Sequence, residues 1–145
     1  MAFKSIEITP VKYFEQEIVQ RSQIYKGYST VDNSLPSIRL YDYDLIKQDI
    51  INQFQIRKGE RVMNPDFGTI IWDLLFDPFT DSVKSMIGAD INRILTSDPR
   101  VVPTDIQVTE EEYGMMLEIT LTHVGTNKVD TMRLTFDKTV GLMAQ

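Results

Sequence analysis

Between residues 81 and 136 the apolar side chains change their spacing from helical to alternating, and few folds accommodate that switch. Val83, Met86, Ile87, Ile91, Ile94 and Leu95 recur at i, i+3, i+4, i+8, i+11 and i+12, which is one face of a helix from about Asp81 to Ser97. Asp81 is its expected N-cap, and Gly88 and Asn92 lie on the outer side. Asp90 falls between Met86 and Ile94 at the margin of the stripe, where a carboxylate is either solvated, the expectation adopted, or paired with a basic group at a contact. After Pro103 the period becomes two. Val102, Thr104, Ile106 and Val108 alternate with polar residues, as do Met115, Leu117, Ile119 and Leu121, and then Met132, Leu134 and Phe136. Turns at 110–114 and 125–128 join these runs. Three strands with short links and one apolar face predict an antiparallel β-meander covered on that face by amphipathic helices, so the fold class is α+β.

Upstream, a helix is expected over 44–56, capped by Asp44 and stopped by Gly59 after Arg57-Lys58, whose charges would offset the helix dipole. Ile46, Ile50, Ile51 and Phe54 share one face, with Leu45 and Ile56 on the other. An extended piece over 60–63, a turn at Asn64-Pro65-Asp66-Phe67-Gly68 and a short helix over 69–76 should follow. Ile70, Ile71, Leu74 and Leu75 would point inward there, Trp72 would sit at the core or its edge, and Pro78 would end the helix. Residues 1–43 differ from the rest: Tyr13, Tyr25, Tyr28 and Tyr41 are spaced among polar residues, with a short amphipathic piece around 11–24. They read as an extended N-terminal arm that either packs on its own domain or docks on a partner, leaving 44–145 as the α+β domain.

A chain of 145 residues can bury a core without disulfides, and this one has no cysteine, hence no thiolate metal site. No apolar run approaches the ~20 residues that cross a bilayer, and the N-terminus alternates instead of forming a signal core, so the chain is expected to stay in the cytoplasm where it is made. A net charge of −6 disfavours nucleic acid and points to protein partners. No phosphate loop, His-Glu-x-x-His or calcium loop occurs, and no cofactor or metal is expected. His123, the one histidine, falls in register with Leu117, Ile119 and Leu121, where it closes a core edge. Paired carboxylates are then the only catalytic chemistry to weigh. Glu110, Glu111 and Glu112 read as a solvated run, and Asp73 and Asp77 lie one helical turn apart.

The ordered set Arg57-Lys58-Gly59-Glu60-Arg61, Asn64-Pro65-Asp66-Phe67-Gly68, Leu74-Leu75-Phe76-Asp77-Pro78 and a helix closed by Asp98-Pro99-Arg100 resembles the small baseplate wedge proteins of contractile phage tails. Their counterpart in type VI secretion baseplates is TssE. The likeness runs from about Asp44 onward. It implies a structural, non-enzymatic part in a virion tail baseplate, linking the wedge core to the first sheath ring and templating the sheath by strand addition. Other wedge proteins and the tail sheath protein are the implied partners, with no nucleic acid, membrane or small-molecule substrate. The family's Glu-Pro-Arg docking motif matches Asp98-Pro99-Arg100, so these three residues are the candidate partner-binding site, with aspartate one methylene shorter than glutamate. A free sheet edge is sought around 129–136. Two rival readings stand beside this one. The first is a carboxylate-dependent peptidoglycan hydrolase using Asp73 or Asp77, after the family's lysozyme-like label; the second is an unrelated α+β adaptor.

Overall fold

The computed structural model describes residues 25–29 and 39–145, so Tyr13 and the amphipathic piece expected around 11–24 lie outside the described residues. Two short strands, β1 (Lys26–Tyr28) and β2 (Arg39–Tyr41), pair antiparallel ahead of helix α1 (Asp42–Gln55). After a long loop come α2 (Ile71–Leu74) and α3 (Asp81–Ser97). Strands β3 (Val101–Glu111), β4 (Gly114–His123), β5 (Val129–Asp137) and β6 (Gly141–Ala144) then form one antiparallel sheet in chain order. The α+β class and the three-strand meander expected from the alternation are present, with β1, β2 and β6 in addition.

The core lies between the sheet and the helices. Met115, Leu117, Ile119 and Leu121 of β4 and Met132, Leu134 and Phe136 of β5 are buried on one face. They pack in one cluster with Ile46, Ile50 and Phe54 of α1 and Ile87, Ile91, Ile94 and Leu95 of α3. Burial of each such side chain stabilises the fold by roughly 1.5–3 kcal/mol. Trp72 sits at the edge as expected, its ring centroid 5.0 Å from that of Phe136 and its indole N–H donating to Phe54 O at 2.9 Å. That bond satisfies one of the carbonyls that the end of α1 leaves unpaired.

Several local expectations are corrected. α3 has the expected bounds, but Thr80, not Asp81, caps it: its hydroxyl accepts from the Val83 amide at 3.3 Å. Met86, placed inward by spacing, is exposed. Asp44 lies inside the first turn of α1, and that helix has no side-chain cap; the nearby Asp42 carboxylate instead accepts from the Tyr25 amide. α1 ends at Gln55, before Arg57 and Lys58, so those charges do not compensate its dipole; Arg57 pairs with Asp73 and Lys58 with Asp66. Residues 60–63 form no strand, and the helix expected over 69–76 shortens to four residues. In β3 the pairing shifts between Pro103 and Asp105, leaving Thr104 as the extra residue, so Val101 faces the core and Val102 faces out. Finally, β5 is no edge strand: it is bonded to β4 on one side and β6 on the other, and β3 and β6 bound the sheet.

Candidate docking site

The Asp98-Pro99-Arg100 turn joins α3 to β3. Asp98 is the C-cap of α3, and Pro99 lacks the N–H that another helical turn would need. The Asp98 carboxylate accepts the Arg100 amide at 3.0 Å and folds back on the Arg100 side chain. Nε donates to its two oxygens at 2.9 and 3.2 Å, and Nη2 donates to Oδ2 at 2.6 Å. Arg100 Nη2 also reaches Asp49 Oδ2 on α1 at 3.0 Å. Tyr25 lies 5.6 Å from the guanidinium carbon. The aspartate is thus long enough to brace the arginine. Hydrogen bonding from Arg100 holds the Asp98 carboxyl below the usual carboxylate range, and Asp98 in turn raises the Arg100 pKa.

The fork is therefore spent mostly within the chain. Nε and Nη2 are engaged, while Nη1 has no hydrogen-bond partner among the described residues. Beside it runs a groove of about 410 Å³ lined by Asp49, Ile50, Arg61, Phe67, Asp98 and Arg100, among others. Asp49 was missed by sequence reasoning, because no local spacing announces a pair 51 positions apart.

The far wall of that groove belongs to the loop at 57–69, and Asp90 positions it. Asp90 is 6% exposed, not solvated at the edge of the stripe. Its carboxylate accepts from Thr69 Oγ1 at 2.7 Å, the Ile70 amide at 3.0 Å, and Arg93 Nε and Nη2 at 3.0 and 2.7 Å. Arg93 extends the network by donating to the carbonyls of Asp66 and Gly68 at 2.9 and 2.8 Å. The base of the loop is closed by Lys58 N–H to Thr69 O and Thr69 N–H to Ile56 O. Gly68 is required there: its φ is +101°, and a Cβ would meet Ile56 O at 2.5 Å. The i, i+3 spacing of Asp90 and Arg93 was the legible signal for this pairing.

Of the carboxylates weighed for catalysis, Glu111 and Glu112 line an open hollow at the β3–β4 turn, whereas Asp73 and Asp77 do not line the hollow nearest them. Asp73 and Asp77 are exposed, and Asp73 pairs with Arg57 at 3.2 Å. A nearby hollow of about 630 Å³ is lined by Gln55, Arg57, Lys58, Gly59, Glu60 and Trp72, not by either aspartate. His123 closes the core edge at the end of β4, 3% exposed, its ring edge-on to Tyr43 with centroids 4.4 Å apart. Burial, opposed by Asp130 and aided by Lys128, lowers its pKa. Among the described residues no group of three or more His, Cys, Asp or Glu side chains could hold a metal ion.

A family model described as baseplate wedge protein gp25 matches residues 42–128. Two solved structures share the fold. One is a crystal structure of a Geobacter sulfurreducens protein described as a candidate tail lysozyme, 23% identical with a TM-score of 0.54, over 63% of this chain and 90% of that one. The other is a chain of the pyocin R2 baseplate after contraction, 18% identical with a TM-score of 0.52, over 79% of this chain and 99% of that one. No curated protein matches the sequence.

Proposed function

This chain belongs to the baseplate wedge protein gp25 family and is a structural part of a virion tail baseplate, and from that premise we propose that it links the wedge core to the first ring of sheath subunits. In this reading the Asp98-Pro99-Arg100 turn docks on the wedge core, and an edge of the four-stranded sheet takes an extended arm of the sheath protein. The observation that carries the docking role is the doubly braced guanidinium. Asp98 and Asp49 fix its plane, so its remaining Nη1 donors meet a partner carbonyl or carboxylate without first losing rotamer freedom.

Strand addition rests on the open sheet. β3 offers eleven residues and β6 four, each bonded to a neighbour on one side only. An extended arm satisfies the outward N–H and C=O groups of such an edge, and continued pairing from subunit to subunit would start polymerisation at the baseplate. The baseplate reading is also favoured over peptidoglycan hydrolysis, since Asp73 and Asp77 are both exposed and Asp73 is paired with Arg57, with no burial to raise the pKa of a general acid.

The absence of cysteine makes the test clean. Single cysteines replacing Gln107 on β3 and Met143 on β6 should cross-link to the sheath protein in assembled tails at one edge, whereas Ser82→Cys on the outer side of α3 should not. Cross-linking that fails at both edges would remove strand addition. For the docking turn, Arg100→Lys keeps the charge but loses the fork, and should weaken binding to purified wedge partners by about tenfold or more. Unchanged binding would remove the turn from the interface.

A further inference from the structure

At the end of the sheet remote from Arg100, three apolar side chains stand in solvent. Phe76, Tyr113 and Val140 are 68%, 60% and 70% exposed. They come from three separate segments, yet Lys138 ties them into one surface. Its amide donates to Tyr113 O at 2.9 Å, and its ammonium lies 5.9 Å from the Phe76 ring centroid. Val140 is held close by the same turn, in which Asp137 Oδ1 accepts from the Thr139 hydroxyl and from the amides of Thr139 and Val140 at 2.6, 2.6 and 3.0 Å. Between the β3–β4 and β5–β6 turns lies a hollow of about 370 Å³, lined by Glu111, Glu112, Tyr113, Thr135 and Asp137 among others.

The rim of this apolar surface is acidic. Glu110, Glu111 and Glu112 are exposed, their side-chain carboxylates have no hydrogen-bonded or ionic partner among the described residues, and Asp77 is exposed one residue from Phe76. Lys138 is the cation that the described contacts place at this surface. A rigid apolar patch with unpaired carboxylates around it complements a segment that presents cations beside aliphatic groups. We propose that this end of the sheet is a second protein-docking surface, whose occupant is a partner segment carrying lysine next to aliphatic side chains. The strand β3 then joins two contacts, with the Asp98-Pro99-Arg100 turn at its start and this surface at its end, roughly 33 Å apart at the usual rise per residue. The proposal stands on the exposed patch and its rim, and does not require the Arg100 contact.

Carboxyl labelling with carbodiimide and an amine, compared between the free chain and the assembled baseplate, tests it. The expected result is labelling of Glu111 and Glu112 reduced by about fivefold on assembly, with zero-length cross-links from these glutamates to lysines of a neighbouring protein. In addition, Tyr113→Ser combined with Val140→Ser should melt as the parent does, because both side chains are exposed, but enter the baseplate at least about fivefold less well. Labelling as strong in the assembly as in the free chain, protection without any cross-link to lysine, or normal incorporation of the double variant would each overturn the proposal. Arg100 is intact throughout, so such a failure leaves the wedge-docking reading standing.

Discussion

Asp90 accepts four hydrogen bonds, from Thr69, the Ile70 amide and twice from Arg93, and Arg93 in turn holds two carbonyls of the turn at 64–68. Asp90→Ala would leave the buried Thr69 hydroxyl and the half-buried Ile70 and Arg93 donors without this acceptor. A fully buried pair broken this way costs about 3–5 kcal/mol; because more than a third of the Arg93 side chain is in solvent, about 2–3 kcal/mol is expected here. Denaturant unfolding measures the loss, and amide exchange in the loop should rise with it. His123 gives a second prediction at this scale. Its folded pKa is lowered from the ordinary 6.5, so as pH falls through that value the unfolded chain takes up a proton that the folded chain refuses. Stability should therefore fall as pH drops through the ordinary 6.5 and level off below the folded pKa; His123→Leu should flatten this slope, as melting across that range would reveal. The burial of His123 was legible from its strand register, whereas that of Asp90 was not: periodicity places a residue at an angle on a helix but does not say what covers that angle.

At the scale of elements, α3 and β4 were the most legible parts, because each carries an unbroken period against a single core face. β3 was half legible. Its alternation read straight through Pro103, and the extra residue Thr104 reverses the faces before it, a local irregularity that composition does not mark. β6 carries only four residues, Gly141–Ala144, too few for a period to emerge, and the loop at 57–69 depends on tertiary bonds from α3. The central element is α3, and Ile91 is fully buried in its stripe. Ile91→Asp would place an unpaired carboxylate there, at a cost of ~4 kcal/mol or more against a usual total of ~5–15. The variant is expected to be insoluble or to lose its cooperative melt; a soluble protein with the parent's melting temperature would show that this face is not the inward one.

For the whole molecule, the α+β class and the family followed from the order of elements and turns, while docking edges depend on sheet order, which no local pattern encodes. The described part of residues 1–43 touches the domain at several points. The Tyr25 ring lies 5.6 Å from the Arg100 guanidinium carbon, Tyr43 packs edge-on against His123, and Gly27 lies where a Cβ would meet Leu45 Cδ1 at 2.3 Å. Removing residues 1–40 should leave a folded fragment, since α1, α3 and the four-stranded sheet remain. Its melting temperature should fall by a few degrees with the loss of Tyr25 and the β1–β2 pair, about what ~1 kcal/mol produces in a domain of this size. A 1–40 deletion that cannot fold would make the arm part of the core and move the boundary toward the N-terminus.

The proposed role of this wedge protein in starting the sheath is tested most directly by sheath polymerisation on purified baseplates. Baseplates assembled with this chain, and others assembled without it, would be mixed with sheath protein and tube, and the position of the first sheath ring scored by electron microscopy. The account predicts sheath anchored at the baseplate only where the chain is present, with readdition of the purified chain restoring it. Equal numbers of baseplate-anchored sheaths without the chain would contradict the account.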